Sequence, residues 1–470
     1  MKRVAVIGGG IGGLSLAFEL NERANTVGGG LEVVLLESGS RLGGNIATDR
    51  EDGWIIERGP NGFLDNVPAT LDLVNRLGLE ARMVRASEHA AKRFIYRNNA
   101  MRKVPTGPIG LLTSSMLTVP GRLRVMWEPF AKPKPKDKDE TVHAFASRRI
   151  GREAASVMVD AMVSGVFAGD SRSLSLASAF PKMADMEDRY GGLVRAMIAK
   201  QRERKKDLGG VDAKNRAGPA GPGGTLTSFD GGMSVLVETL AEKLGSVVRM
   251  NAKPVALERS DDARPWTVRL ESGEAVAVDV IACTIPASPA AKLFHTLDDG
   301  LAGILEEFLS APLAVVALGF SVEDLGGAPD GFGVLIPRGE GPRILGCLWD
   351  STVFPNRAGE GRVLVRAMIG GALDTEAVKL SDAELLSIVK SDLANVMNLK
   401  AVPVLERVYR HSMGIGQYNV GHGEHIHTLE SRLQGFPGLV VSGSSFYGVA
   451  MNTVIEHAGL DADRIVKQLS

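Results

Sequence analysis

The sequence predicts an α/β fold, α+β overall, and three observations carry the prediction. The first is the opening stretch Val4-Ala5-Val6-Ile7-Gly8-Gly9-Gly10-Ile11-Gly12-Gly13, where an apolar run meets glycines spaced G-x-G-x-x-G and a helical pattern follows. The second is the run Leu31-Glu32-Val33-Val34-Leu35-Leu36, which ends in the acid Glu37. The third is the recurrence of apolar runs late in the chain, at Val278 to Pro286 and at Gly438 to Ser444. Continuous apolar strands suit a parallel sheet buried on both faces. The first two predict a Rossmann-like dinucleotide-binding domain.

Each part of the first unit has a chemical reason. Gly8 permits the tight strand-to-helix turn, Gly10 lets the backbone approach a pyrophosphate, and Gly13 lets helix and strand pack closely. The phosphates then meet unpaired N–H groups at the positive end of the helix. Glu37 is placed to accept hydrogen bonds from a ribose diol. Asn25-Thr26-Val27-Gly28-Gly29-Gly30 reads as a stretched turn that lengthens the usual spacing. Directly after the acid, Ser38-Gly39-Ser40-Arg41-Leu42-Gly43-Gly44 resembles the E-x(3)-R-x-G-G extension of glutathione-reductase-like FAD enzymes, especially the amine-oxidase branch. The resemblance implies FAD as the cofactor, with Glu37 and Ser38 beside it, Arg41 neutralising a phosphate, and Gly43 and Gly44 passing near the flavin.

Composition bounds the rest. A chain of 470 residues has room for two or three domains, and 44% hydrophobic with 23% charged residues is ordinary globular usage. Two cysteines, Cys283 and Cys347, exclude a disulfide framework or a cysteine metal site and suit a reducing compartment. The N-terminus enters the first strand at once and no apolar run is long enough to span a bilayer. A cytoplasmic location is therefore expected, peripheral on the inner face of the cell membrane. From Arg85 to Arg216 there are 26 Lys+Arg and 14 Asp+Glu, a surplus of +12 in a chain of net charge −1. Such a basic region suits carboxylate ligands or anionic lipid.

Further along, Trp54-Ile55-Ile56-Glu57-Arg58-Gly59-Pro60-Asn61 precedes a helical segment from Ala69 to Leu77, and Ala91-Lys92-Arg93-Phe94-Ile95-Tyr96-Arg97 alternates as a strand. Ser164-Gly165-Val166-Phe167-Ala168-Gly169-Asp170, Phe180-Pro181 and Gly331-Phe332-Gly333-Val334-Leu335-Ile336-Pro337 follow. Together these pieces resemble the protoporphyrinogen oxidase family. The resemblance implies that Gly59 and Pro60 border the flavin and that Asn61 offers its amide to the substrate. It places Arg93 on a tetrapyrrole propionate, which a guanidinium fork pairs bidentately as lysine cannot. Gly169 matches one of a glycine pair near the substrate. Leu335, Leu348 and Met368 fall where relatives sandwich the tetrapyrrole over the flavin.

The return to the cofactor domain resembles the superfamily's F-x-G-G-M-x-x-L signature at Phe229-Asp230-Gly231-Gly232-Met233, with Val255 where a main-chain group meets the adenine. Near the C-terminus Gly443, Met451, Asn452 and Val454 match a second phosphate-binding turn and a helix start aimed at the flavin's pyrimidine end; Ser444 stands where the family carries asparagine. His422, His425 and His427 complete no defined ligand pattern, so no metal is expected.

Domains expected on this reading are an FAD-binding domain at 1–85, 225–295 and 406–470, and an interleaved mixed-sheet substrate domain at 86–98 and 296–405. A helical, membrane-associating region spans 99–210, where Leu111 to Trp127 is apolar and basic, and a flexible loop spans 211–224. The implied activity is oxidation of protoporphyrinogen IX to protoporphyrin IX in haem biosynthesis, by three hydride transfers to flavin N5 with oxygen as acceptor. No side chain is assigned as a catalytic base. Expected partners are the tetrapyrrole, molecular oxygen, a peripheral membrane contact, a second copy in a homodimer and neighbouring haem-pathway enzymes; nucleic acid is not among them. Alternatives are a coproporphyrinogen III oxidase, a flavin amine oxidase, or a flavin-bound scaffold without turnover.

Overall fold

A computed structural model describes residues 1–27, 30–105, 107, 110, 113–134, 138–207, 224–260 and 263–470. The loop expected over 211–224 lies outside the described residues except for Gly224, as do Leu111, Leu112 and Pro135-Lys136-Asp137.

In chain order, β1 (Lys2–Ile7), α1 (Ile11–Glu22) and β2 (Leu31–Leu36) form the opening unit. β3 (Trp54–Glu57), β4 (Arg93–Arg97) and β5 (Ala100–Lys103) precede a helical stretch that includes α2 (Val119–Met126), α3 (Asp160–Phe167) and α4 (Leu193–Asp207). Next come β6 (Leu226–Phe229), α5 (Ser234–Leu244), β7 (Val248–Arg249), β8 (Pro254–Arg259) and β9 (Val280–Cys283). The last part holds β10 (Ser310–Ser321), β11 (Gly333–Leu335), β12 (Gly346–Leu348), β13 (Arg362–Gly370), α6 (Asp382–Met397), β14 (Leu405–Gly416), β15 (Leu439–Val441) and α7 (Met451–Leu469).

Five strands make a parallel sheet in the order β7-β2-β1-β9-β15. Its side chains alternate between two cores, which is why both faces had to be apolar. Val4, Val6, Val33 and Leu35 pack with α1, α5 and α7, while Ala5, Ile7, Val34 and Leu36 pack with Trp266, Val268 and Phe294. Cys283 lies in the second core, where burial pushes its thiol up to about 12. It is an inert buried group.

A second, mixed sheet of seven strands runs β14-β10-β13-β12-β11-β4-β5. One face is sealed by α6, whose Leu385, Val389 and Leu393 pack on Val316, Leu318, Val365 and Ala367. This sheet takes in 100–103 and 406–416, expected from the sequence in the helical region and in the cofactor domain. Pairing decides both cases: Asn98 and Asn99, at positive φ, turn β5 back along β4, and β14 pairs with β10 along most of its length. The two strands between Val248 and Arg259 belong to different sheets. β7 joins the parallel sheet, whereas β8 pairs with Trp266–Leu270.

The apolar stretch before Trp127 divides as well. Met116 and Leu117 are buried with Ile95 and Ala161, but Leu123, Met126 and Trp127 are exposed. Among the described residues no helix is long and apolar enough to cross a membrane.

Candidate active site

The glycine turn after β1 is built for a ligand. A Cβ at Gly13 would lie 1.9 Å from Gly8 O and 2.7 Å from Thr284 Oγ1, so only glycine lets α1 sit on this turn. Gly10 is the opposite case: its backbone is extended (φ −72°, ψ 175°) and a Cβ there would meet nothing within 4 Å. The space above Gly10 is therefore open. α1 begins at this glycine with no side-chain cap, leaving its first N–H groups to an outside acceptor.

α7 points to the same place. It too begins without a side-chain cap, and a Cβ on Gly12 would touch Val454 Cγ1 at 3.1 Å and reach Gly443 Cα at 4.0 Å. Two uncapped helix starts thus converge on one cradle. The Asn452 amide is committed inside the protein: it donates to Leu64 O (2.8 Å) and accepts from Thr70 Oγ1 (2.8 Å). The main chain at the start of α7, from Met451, is what the helix offers a ligand. Tyr418 and His422 hold the preceding segment. Tyr418 donates to Ser444 O (2.7 Å) and accepts from Gly448 N (2.6 Å), and His422, stacked on Tyr418, donates from Nε2 to Phe446 O (2.8 Å).

Glu37 sits at the end of β2, held by the N–H groups of Gly9 (2.7 Å) and Gly39 (2.6 Å), with Ser38 Oγ at 3.2 Å. The segment 249–252 runs alongside, since Glu37 N donates to Arg249 O and Ala252 N donates to Glu37 O. It leads to Val255, where a bulge interrupts the pairing of β8 and leaves that main chain out of register. The Arg41 guanidinium donates to the carbonyls of Leu42, Gly44 and Ile46 and so braces its own turn. Gly43 N donates to Gly9 O (2.7 Å), and a Cβ on Gly44 would lie 3.4 Å from Gly10 Cα.

The turn Gly59-Pro60-Asn61 closes the cradle. A Cβ on Gly59 would lie 2.2 Å from Asn45 O, so this turn presses on the Gly43–Asn45 loop. Asn61 is buried, and among the described residues neither Nδ2 nor Oδ1 has a hydrogen-bond partner. Unsatisfied buried amides are rare and point to a ligand group. An open glycine, two uncapped helices, a held acid and an orphaned amide together fit FAD.

Facing this turn is the side of the seven-stranded sheet opposite α6. Its register puts Arg366, Leu348, Gly333 and Arg93 in one cross-strand row, and Met368, Gly346, Leu335 and Ile95 in the next. Alternation places both rows on the same face. Four expected substrate residues, Arg93, Leu335, Leu348 and Met368, therefore share one surface. The Arg93 guanidinium lies 5.2 Å from the Phe332 ring centre, and burial lowers its pKa. Neighbouring charges are engaged elsewhere: Lys92 with Asp330, and Arg97 with Glu153 at 3.0 Å.

Gly169 does not reach this surface. A Cβ there would strike Gln417 Oε1 at 2.5 Å, whereas at Gly165 it would strike Leu335 Cδ2 at 2.6 Å. Gly165 is the glycine that α3 presents to the sheet. The sequence reading also missed a buried ion network beneath the cradle. Glu57 accepts from Met233 N (2.8 Å), Thr48 Oγ1 (2.7 Å) and Arg357 (2.9 Å), while Arg366 pairs with Asp350. Burial raises the Glu57 carboxyl above its ordinary pKa against these cations. Arg357 and Arg366 stand nine residues apart with Glu360 and Arg362 between them, so no local pattern marks the network.

The sequence profile of the flavin containing amine oxidoreductases matches residues 11–466. A coproporphyrinogen III oxidase of Bacillus subtilis is 31% identical over 97% of this chain and 96% of its own length. The protoporphyrinogen oxidase of Homo sapiens is 33% identical over 97% and 96%, respectively. Among solved structures, a candidate protoporphyrinogen oxidase from Exiguobacterium superposes with a TM-score of 0.83 at 24% identity, covering 99% of both chains.

Proposed function

The chain belongs to the flavin containing amine oxidoreductase family, and on that premise we propose that it oxidises protoporphyrinogen IX in haem biosynthesis. It is an oxidoreductase, FAD is its cofactor, and porphyrinogen oxidation is its chemistry. The observation that carries the choice of substrate is the face bearing Arg93, Leu335, Leu348 and Met368 opposite the Gly59–Asn61 turn. A flat hydrophobic ring system needs an apolar slot with few polar anchors.

Bound FAD supplies the two-electron oxidation that, repeated, converts a porphyrinogen to a porphyrin with oxygen as terminal acceptor. The chain's own residues orient and enclose. Leu335, Leu348 and Met368 support the ring plane and exclude water, Arg93 pairs with a propionate, and Asn61 offers its amide where turn and sheet meet. On the same face Arg97, Arg366 and Arg407 are paired with Glu153, Asp350 and Glu51, while Arg102 donates to Ser115 and Arg362 to Asp52 O.

A second reading is coproporphyrinogen III oxidation, favoured by relatives of that name from Bacillus subtilis and Staphylococcus aureus. Aerobic turnover of FAD-loaded protein with each porphyrinogen, followed by porphyrin fluorescence, separates the two. Faster oxidation of protoporphyrinogen IX is expected. A preference for coproporphyrinogen III would move the enzyme to the second reading, and a yellow protein that oxidises neither would sink both.

Peripheral contact with the inner face of the cytoplasmic membrane belongs to the same proposal. Val119 (60% exposed), Leu123 (60%), Trp127 (61%) and Phe130 (69%) crowd one surface. Glu128 joins them to α4 by accepting from Leu193 N and Val194 N, which adds Met197 (65% exposed). Lys132 and Arg122 border the patch. Exposed aromatic and aliphatic groups rimmed by cations suit an anionic lipid surface. Wild-type protein should sediment with phosphatidylglycerol vesicles, and a Trp127→Glu, Phe130→Glu variant should bind about tenfold more weakly. Equal binding by both would remove the patch from the proposal.

A further inference from the structure

Oxidation of a ring held on one sheet by a cofactor held on another needs the two surfaces in register. The segment Glu57–Gly59 is a place where the chain meets that need. Three successive main-chain carbonyls, those of Glu57, Arg58 and Gly59, all accept hydrogen bonds from side chains of the substrate sheet. Arg366 Nη1 donates to Glu57 O (2.7 Å) and Gly59 O (2.9 Å), and His411 donates from Nε2 to Arg58 O (2.7 Å). Both belong to the face described above: Arg366 lies opposite Leu348, and His411 lies opposite Leu313 on the next strand pair.

The arginine is itself tightly fixed. It is 2% exposed, its Nε pairs with Asp350, and Nη2 donates to the same carboxylate at 3.2 Å. A planar fork that satisfies a carboxylate with one edge and two carbonyls with another nitrogen defines both position and angle. Beyond Gly59 the chain has two residues to reach the buried, unpartnered amide of Asn61. On the other side, Gly59 presses on Asn45, and Asn45 Nδ2 donates to Gly414 O at 2.9 Å, two residues from His411's neighbour Ser412 on β14. The turn is therefore held from the cofactor side by the glycine loop and from the substrate side by β13 and β14.

Resting on the proposed porphyrinogen chemistry, we propose that Arg366, with His411, is a positioning residue that sets the register between the Gly59–Asn61 turn and the substrate face. It touches neither reacting atoms nor the expected propionate. Its effect passes through the carbonyls it holds. A displacement of about 1 Å in such a geometry can cost about a hundredfold in rate.

Two variants keep the test sound. Arg366→Lys retains a cation for Asp350 but cannot bridge two carbonyls. Arg366→Gln with Asp350→Asn removes both buried charges together, so no lone carboxylate is left to unfold the protein. Hydrogen exchange of the FAD-loaded enzyme is read over peptides covering 57–62, β1 and α6, alongside kcat and KM for both porphyrinogens. The expected result is exchange over 57–62 raised about tenfold with β1 and α6 unchanged. With it, kcat should fall about 10–100-fold while KM moves less than about threefold. Unchanged exchange over 57–62, a uniform rise across all three regions, or a loss carried by KM would each overturn the proposal. If wild type oxidises neither porphyrinogen, the functional reading fails on its own, and the exchange pattern still decides whether Arg366 holds the turn.

Discussion

Gly13→Ala is expected to abolish FAD binding and to destabilise the protein, while Gly10→Ala abolishes only the first. The added methyl at position 13 would stand 1.9 Å from Gly8 O, a main-chain atom that cannot move without shifting the whole strand-to-helix turn. Clashes of this kind fall in the severe class, about 4 kcal/mol or more. At position 10 the methyl meets nothing within 4 Å and the backbone is already extended, so the fold should lose less than about 0.5 kcal/mol. Its methyl would instead occupy the space a pyrophosphate needs. Thermal melting and the ratio of flavin to protein absorbance distinguish the two. Full flavin content in Gly10→Ala would mean that no phosphate approaches that backbone; an unaltered melting point in Gly13→Ala would mean the turn can relax.

Arg93→Ala is expected to lower kcat/KM for the porphyrinogen by about 10–100-fold, mainly through KM. A charge-assisted hydrogen bond to a carboxylate contributes about 1.5–3 kcal/mol, which sets that range. The guanidinium is part-buried against Phe332, and burial works against its charge, so a propionate beside it would favour the charged form. Arg93→Lys keeps the charge but loses the fork and should recover only part of the loss. Lys92→Ala is the control, because Lys92 pairs with Asp330 at the surface and such pairs contribute at most about 1 kcal/mol. Equal effects of the Lys92 and Arg93 changes would remove Arg93 from the substrate face.

The two cases differ in how legible they were. The glycine turn could be read from the chain because its residues are neighbours, and a turn of that shape tolerates few other residues. Arg93 was found only through its resemblance to a family strand; its alternation in Arg93-Phe94-Ile95-Tyr96-Arg97 says which side it faces but not what stands opposite. Arg41 shows the limit from the other direction, since its spacing does not tell that its guanidinium braces three carbonyls of its own loop. Gly165 and Gly169 make the same point, since identical residues four apart on one segment meet Leu335 and Gln417, respectively.

What the chain determined alone is whatever depends on neighbours: the strand–glycine–helix unit, the acid at the end of β2, the apolar strands of a sheet covered on both faces, and the helix starts. Hydrophobic period and backbone sterics act over a few residues, so they are written locally. Tertiary structure alone decided that Arg366 and His411 grip the carbonyls of Glu57, Arg58 and Gly59, that Asn61 is left with an unspent amide, and that β5 and β14 complete the substrate sheet. Those outcomes depend on which distant strands pair and in what register. A slip of one residue in β13 would turn Arg366 from the cradle into the α6 core.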